Sequence, residues 1–391
     1  MEKKQILGLV CTGGGAHGAY QVGVLKYIHE HFSDENGRSP FKVFTGASCG
    51  ALSTSFYAAQ SYDAKKSSAW LEDLWLSFHV PEYHGNIFKN TLFAIFKEWR
   101  RNPEERQSAW SLLDPAPMRR IIEKGFLRKN LERSFQEGST LGIGMAATEI
   151  VSGRTCWFQE GPSGRPWNLF HSIGLIDKLS TDHLAASCSV PIFLPPVKIG
   201  GHYFLDGSIS LSKPLSAAVS MGATRILSIA AEKPHSLDLP KYKPGFRPRL
   251  TKVISLLLNR LSHDAAEDEA YEIETFNRFY QGLSKKNRQL PEDLEPVPLF
   301  HENSRPYHYH ETEIFRFNPS RRIRFSSDLD DSSTNAHHKR TRFMFHESFI
   351  RELMAMGYAD ASAKHEQLKN FFSPEVRKKS WFPFFGLDKA V

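Results

Sequence analysis

Three stretches of the chain carry residue types that could do chemistry together. Ser48 lies within Gly46-Ala47-Ser48-Cys49-Gly50, and upstream of it Gly13-Gly14-Gly15-Ala16-His17-Gly18 follows an apolar run from Ile6 to Cys11. Small residues around Ser48 permit a sharp strand-to-helix turn that lifts the hydroxyl into the open. The next backbone N–H, that of Cys49, then lies near a developing oxyanion. The glycine loop can aim the backbone N–H groups of Gly13, Gly14 and Gly15 at one point, and a helix starting behind it adds positive potential there. A serine hydroxyl still needs a base to take its proton. Late histidines are His301, His308, His310, His337, His338 and His346, but they sit in Pro-rich, polar or charged stretches, and none follows an apolar strand into a short turn. Asp206 does, at the end of Tyr203-Phe204-Leu205 and before Gly207-Ser208. Its carboxylate could accept from the serine directly, although an Asp-Gly turn after a strand also serves as plain structure.

The glycine loop has a rival reading. The same letters satisfy the dinucleotide fingerprint, with Asp34 and Glu35 a suitable distance downstream. In a dinucleotide fold, however, the acid caps the end of the second strand. Here Asp34 and Glu35 lie in a polar loop before that strand, which itself ends at Gly46-Ala47-Ser48 without an acid. A phosphate-binding P-loop fails as well, because no Gly-Lys-Ser/Thr follows the glycines.

The elements that must position these residues alternate in the manner of an α/β sheet. Strands are expected over Ile6 to Cys11, Phe41 to Thr45, Leu141 to Ala147, Arg154 to Phe158 and Arg225 to Ala230, with a hairpin over Lys198 to Leu205 turning at Gly200-Gly201. Helical spacing marks Ala19 to Ile28 and Leu52 to Ala59, and a Trp- and Phe-rich helical region runs from Ser67 to Arg133. Further on come a long amphipathic helix, Leu250 to Leu283, short strands Ile314 to Phe317 and Ile323 to Phe325, and helices from Arg340 to Phe372. The expected organisation is a catalytic core over 5–230, a helical part over 231–372 completing the same domain, and a basic and aromatic tail over 373–391.

Bulk composition narrows the classes. The 391 residues are 40% hydrophobic and 24% charged, with a net charge of +7. No apolar run approaches the ~18 to 20 residues of a membrane span, and Lys3-Lys4 before Ile6 to Val10 is too short for a cleaved signal. Cys11, Cys49, Cys156 and Cys188 show neither paired spacing nor a ladder, so neither zinc nor a disulfide framework is expected, and a cytoplasmic location is. Positive charge favours anionic partners. No zinc-finger or aromatic RNA-binding pattern accompanies it, so acidic lipid is expected rather than nucleic acid.

The ordered set of segments resembles the patatin-like phospholipases. The resemblance rests on Gly13 to Tyr20, Gly46 to Gly50 and Asp206-Gly207-Ser208, supported by Ala147-Thr148-Glu149 with Ser152-Gly153-Arg154, and by Ala185 to Pro191 with Phe193 to Pro196. It covers about residues 5 to 230, with a looser likeness through Phe317-Asn318-Pro319-Ser320 to the helix near Gly357. The family implies a three-layer α/β/α fold with a mostly parallel sheet and helical insertions. It also implies hydrolysis of lipid acyl esters by a Ser48–Asp206 dyad without metal or cofactor, with the glycines from Gly13 as the oxyanion loop. Three departures stand out: His17 where the family usually has Arg or Lys, Ser208 where Gly or Ala is common, and Ser212 where Asn is frequent. A neutral His17 would make the loop less electropositive and could tune headgroup preference.

Two segments have the character of a peripheral contact with anionic membranes. Asn86 to Arg101 mixes Phe88, Leu92, Phe93, Ile95, Phe96 and Trp99 with basic residues, and Arg377 to Phe385 puts aromatics beside cations. Each could equally pack against the fold. The expected function is a phospholipase A or lysophospholipase. Alternatives are a thioesterase or acyltransferase using the same dyad, an inactive lipid-binding protein and, further off, a dinucleotide-dependent oxidoreductase. Acyl chain, headgroup, position of cleavage and oligomeric state are left open by the sequence.

Overall fold

The computed structural model describes residues 5–78, 111, 114–169, 171–211, 214–232, 265–286, 312–321, 323 and 345–373. At its centre is one sheet. Its strands are β1 (Leu7–Cys11), β2 (Val43–Ala47), β3 (Gly142–Glu149), β4 (Thr155–Glu160), β5 (Trp167–Asn168), β6 (Ser172–Ile176), β7 (Val197–Ile199), β8 (His202–Asp206), β9 (Arg225–Ile229) and β10 (Glu313–Phe317). The main order is β10-β9-β1-β2-β3-β4-β6-β5, and β7 and β8 form a hairpin joined to β3 through β8. The five strands from β10 to β3 are mutually parallel, and β4 turns antiparallel against β3.

Parallel strands covered on both faces read as continuous apolar runs rather than alternating ones. That is the pattern of β2, β3 and β9, which are buried throughout. On one face lie α1 (Ala19–Phe32), α2 (Cys49–Ala59), α3 (Ala64–Ser77), α4 (Ala116–Gly125), α5 (Arg128–Gln136) and α6 (Thr181–Ser187), with α9 (Glu347–Ala363) and α10 (His365–Phe372) beyond them; their apolar residues form one large cluster with the sheet. The other face is covered by α7 (Pro214–Ser220) and α8 (Ala265–Lys286), where Leu215, Ala218, Ala266 and Ala270 meet Val10, Val43 and Ile226. The architecture is three-layered α/β/α, and the helices between β2 and β3 are insertions into it.

The C-terminal helices belong to this same packing. At the crossing of α1 and α9 a Cβ on Gly23 would lie 1.9 Å from the Met354 carbonyl oxygen, and one on Gly357 would lie 2.1 Å from that of Tyr20. Only glycine permits the two backbones to approach so closely. α9 begins at Glu347 after an extended His346 (φ −96, ψ 134), and residues 340–344 of the helical stretch expected from Arg340 lie outside the described residues. The hairpin forms as expected, with φ of 54 at Gly200 and 90 at Gly201. The segments Asn86 to Arg101 and Arg377 to Phe385, the expected strand at Ile323 to Phe325 apart from Ile323, the start of the long helix, and Ser212 all lie outside the described residues.

Candidate active site

Strand pairing alone brings the serine to the aspartate. β2 runs along one edge of β3 as far as Ala47, opposite Ala146. On that same edge β8 takes over at the next position, with Asp206 opposite Ala147. Ser48 leaves β2 at the point where Asp206 arrives. Its Oγ donates to Asp206 Oδ2 over 2.6 Å, between residues 158 apart in the chain.

The turn at Ser48 is strained and held from several sides. Its backbone is at φ 54 and ψ −128, a region a side chain rarely adopts. Ser48 N donates to Ser187 Oγ at 3.0 Å, from the last residue of α6, and Leu52 N donates to Ser48 O, starting α2. Close packing explains the flanking glycines: a Cβ on Gly46 would lie 2.5 Å from the Gly50 carbonyl carbon, and one on Gly50 would lie 2.1 Å from the Cys11 carbonyl oxygen. The two turns are therefore seated directly on each other. Ser48 is 8% exposed.

Asp206 is fixed as firmly. Its Oδ1 accepts from Ser208 N at 2.8 Å, its own N–H donates to Ser189 O, and its carbonyl accepts from Thr148 Oγ1 at 2.8 Å. At 3% exposure, burial pushes its carboxyl up to about 6, against the hydrogen bonds from Ser48 and Ser208 that favour the charged form. A carboxylate poised there is ionised at neutral pH yet basic enough to take a proton. The dyad's hydrogen bonds involve no histidine among the described residues. Of the candidate late histidines only His346 lies within them, where it pairs with Ser348, and His301, His308, His310, His337 and His338 fall outside; His365 pairs with Tyr27.

The glycine loop lies over this pair. Gly15 has φ 61, and a Cβ on Gly13 would fall 2.2 Å from Ser208 Oγ and 3.2 Å from Ser48 Cβ. Gly14 rests on Ala231, Gly18 on Trp75 and the Cys49 sulfur, and Gly207 on the Ala146 carbonyl, each too close for a Cβ. Cys49 is buried, and desolvation pushes its thiol up to about 12. Its sulfur lies against the backbone of Gly14, Gly15 and Gly50, which favours the thiolate without overcoming burial, and it donates to Thr12 O at 3.8 Å. Gln21, buried on α1, ties the same region down by donating to the carbonyls of Thr12 and Ile229. All four cysteines are free, buried thiols.

His17 is enclosed by the fold. It is 0% exposed, with Nδ1 3.2 Å from Glu232 Oε1 beyond the end of β9 and its ring edge against Phe349 of α9. A ring so enclosed packs the glycine loop against the end of β9 and against α9. Ser187, Thr148 and Gln21 were not singled out by the chemistry of their sequence positions. Ser187 and Thr148 fall within the two supporting segments of the resemblance, while Gln21 has no signal beyond being polar on an otherwise apolar helix face.

Residues 9–219 match the family described as patatin-like phospholipase, more than half of the chain. The chain belongs to the patatin-like phospholipase family. Lipid acyl hydrolysis is the activity of that family, and the expected fold class agrees with the three-layer architecture. Among solved structures, VipD from Legionella pneumophila is 13% identical, with a TM-score of 0.37, over 93% of this chain and 67% of that one. Human GIVD cytosolic phospholipase A2 in complex with methyl γ-linolenyl fluorophosphonate is 11% identical, with a TM-score of 0.40, over 94% of this chain and 59% of the human one. The chain thus spans less than two thirds of the human protein. Among the described residues no helix is long and apolar enough to cross a membrane.

Proposed function

We propose that this patatin-like chain hydrolyses acyl esters of phospholipid or lysophospholipid through a Ser48–Asp206 dyad. The observation that carries the reading is the 2.6 Å hydrogen bond from Ser48 Oγ to a buried carboxylate whose other oxygen accepts from Ser208 N, on a residue whose backbone carbonyl is held by Thr148 Oγ1. Asp206 takes the serine proton as Oγ bonds to the ester carbonyl carbon, and the carbonyl oxygen becomes an oxyanion. As that intermediate collapses the ester C–O bond breaks, and the proton on Asp206 passes to the departing alcohol. Water then attacks the acyl-serine, giving its proton to Asp206. The fatty acid leaves, and the proton returns to Ser48 Oγ.

Stabilisation of the oxyanion falls to the loop of Gly13, Gly14 and Gly15 together with Cys49 N–H. The Cys49 sulfur that faces Gly14 and Gly15 in the resting protein is a weak acceptor, so an oxyanion outcompetes it for those donors. Loss of one such donor typically costs ~3 kcal/mol in the barrier. Ser48 N–H is spent on Ser187 Oγ and contributes nothing to the hole.

The test compares wild type with Ser48→Ala on a mixed lipid extract, reading released fatty acids and lysolipids, alongside labelling by a fluorophosphonate. Release of both products and labelling in wild type only is the expected result. Labelling at a serine other than Ser48, or equal release by Ser48→Ala, sinks the assignment.

A further inference from the structure

The end of the sheet that carries the dyad also carries large apolar side chains that the fold leaves in water. β3 continues past Ala147, which faces Asp206, into a turn at 150–153 that bears Ile150 and Val151, the latter 92% exposed. Beside it runs the β7–β8 hairpin, tied on by the hydrogen bond from Ile150 N to Tyr203 O. Tyr203 is 49% exposed and lies three residues along β8 from Asp206, about 10 Å at the rise of an antiparallel strand. Opposite Tyr203 in the hairpin stands Lys198, its ammonium 5.8 Å from the centre of the tyrosine ring.

A fourth apolar side chain joins this rim at a cost to the backbone. Ile192 lies in the loop that starts at Ser189, whose carbonyl holds Asp206 N, and it is 47% exposed at φ 74. For a β-branched residue that backbone is an outlier. Half of the side chain faces water, so burial within the chain does not account for the strain. Such outliers persist where the surroundings impose them and gather at functional sites.

Charge on the same segments has one sign at the surface. Over residues 148–154 and 189–206 the basic groups are Arg154, Lys198 and His202, and the two acids, Glu149 and Asp206, are buried. Glu149 is further occupied by Ser152 N, and His202 lies 3.8 Å from it.

We propose that Ile150, Val151, Ile192 and Tyr203, with Lys198 beside them, form a docking rim that seats the protein on an anionic lipid surface with the dyad facing it. Apolar tips enter the boundary between headgroups and acyl chains, the tyrosine lies at headgroup level, and the ammonium stays among phosphates. The orientation rests on the reading of the dyad as an acyl hydrolase; the binding itself does not. It is independent of the segments Asn86 to Arg101 and Arg377 to Phe385.

The experiment separates the two. Full-length Ser48→Ala protein is sedimented with vesicles of phosphatidylglycerol and phosphatidylcholine, so that binding is scored whether or not the chain is a hydrolase. On that background Val151→Asp and Ile192→Gly should each weaken partition roughly tenfold, the scale of losing one buried aliphatic side chain. Ile192→Gly relieves the strained φ and should melt no lower than its parent, so its loss of binding cannot come from misfolding. Lys198→Glu should weaken partition more on anionic vesicles than on pure phosphatidylcholine. With Ser48 present, Val151→Asp should lose activity on vesicles and keep its turnover of a monomeric short-chain ester. Partition unchanged within twofold in both Val151→Asp and Ile192→Gly overturns the rim. So does a concentration-dependent dimer that Val151→Asp dissociates while vesicle binding is absent, since the patch would then pair two copies of the chain.

Discussion

Among the described residues two non-glycine positions hold positive φ, Ser48 and Ile192, and they face opposite environments. Ser48 sits in the interior, where its N–H, carbonyl and hydroxyl are all engaged by α6, α2 and β8. Ile192 sits on the rim, spanned by the hydrogen bonds of Phe193 N and Leu194 N to Val190 O, and its side chain meets water. The same kind of backbone strain thus positions an oxygen within hydrogen-bonding distance in one place and displays a hydrocarbon in the other. Interior strain is over-determined by polar contacts, whereas at the surface the hydrogen bonds of the loop itself span the strained residue.

Removing both side chains in parallel sharpens the contrast. Ser48→Gly should stabilise the chain by about 1 kcal/mol through relief of φ, and should lower ester turnover by ~10⁴-fold or more. Turnover of a monomeric ester and a thermal melt on one preparation read both effects; retained turnover would break the comparison. Asp206→Asn should be nearly as severe for turnover and carries a pH signature. Burial raises the carboxyl from 3.8 to about 6, so the folded chain holds that proton more tightly than the unfolded one. The stability this gives is fully present below the unfolded value and is lost as pH rises through 6. Asp206→Asn should therefore melt higher than wild type at pH 8, by at most about 3 kcal/mol, and about equally at pH ~3, below the unfolded value. Wild-type kcat/KM should fall as pH drops through about 6, as the base is protonated.

Smaller effects test the supports. Ser187→Ala leaves the buried N–H of Ser48 without its acceptor and should cost about 1–3 kcal/mol of stability, with turnover falling while KM holds. An unchanged melt would mean that the Ser48 turn needs no such brace. Ile192→Gly should change least: about 1 kcal/mol more stable, with turnover of a monomeric ester unaltered.

Much of this arrangement was legible in the residues because both turns depend on glycine for reasons of space. Gly46 packs on Gly50, and Gly50 on the end of the strand ahead of the glycine loop, and that necessity shows in the letters. Asp206 was less legible. An Asp-Gly after a strand is common, and what distinguishes Asp206 is the register of β8 on β3, a long-range fact that no local pattern encodes. β6 and the helices α6 and α7 escaped notice for another reason. They are short and rich in small residues, as at Gly174, where a Cβ would strike Trp167, so hydrophobic periodicity has little to register. The burial of His17 could not be foreseen, since Glu232 and Phe349 reach it from distant parts of the chain.

The shared edge of β3 has a consequence for the order in which a newly made chain acquires its chemistry. β2 and β3 can pair early, while β8 must emerge and settle beyond Ala146 before the Asp206 carboxylate reaches Ser48. A slip of one residue would turn Asp206 to the opposite face of the sheet. On the proposed dyad, a chain still leaving the ribosome carries an unactivated alcohol, and hydrolysis begins only when the last partner on that edge has docked in register.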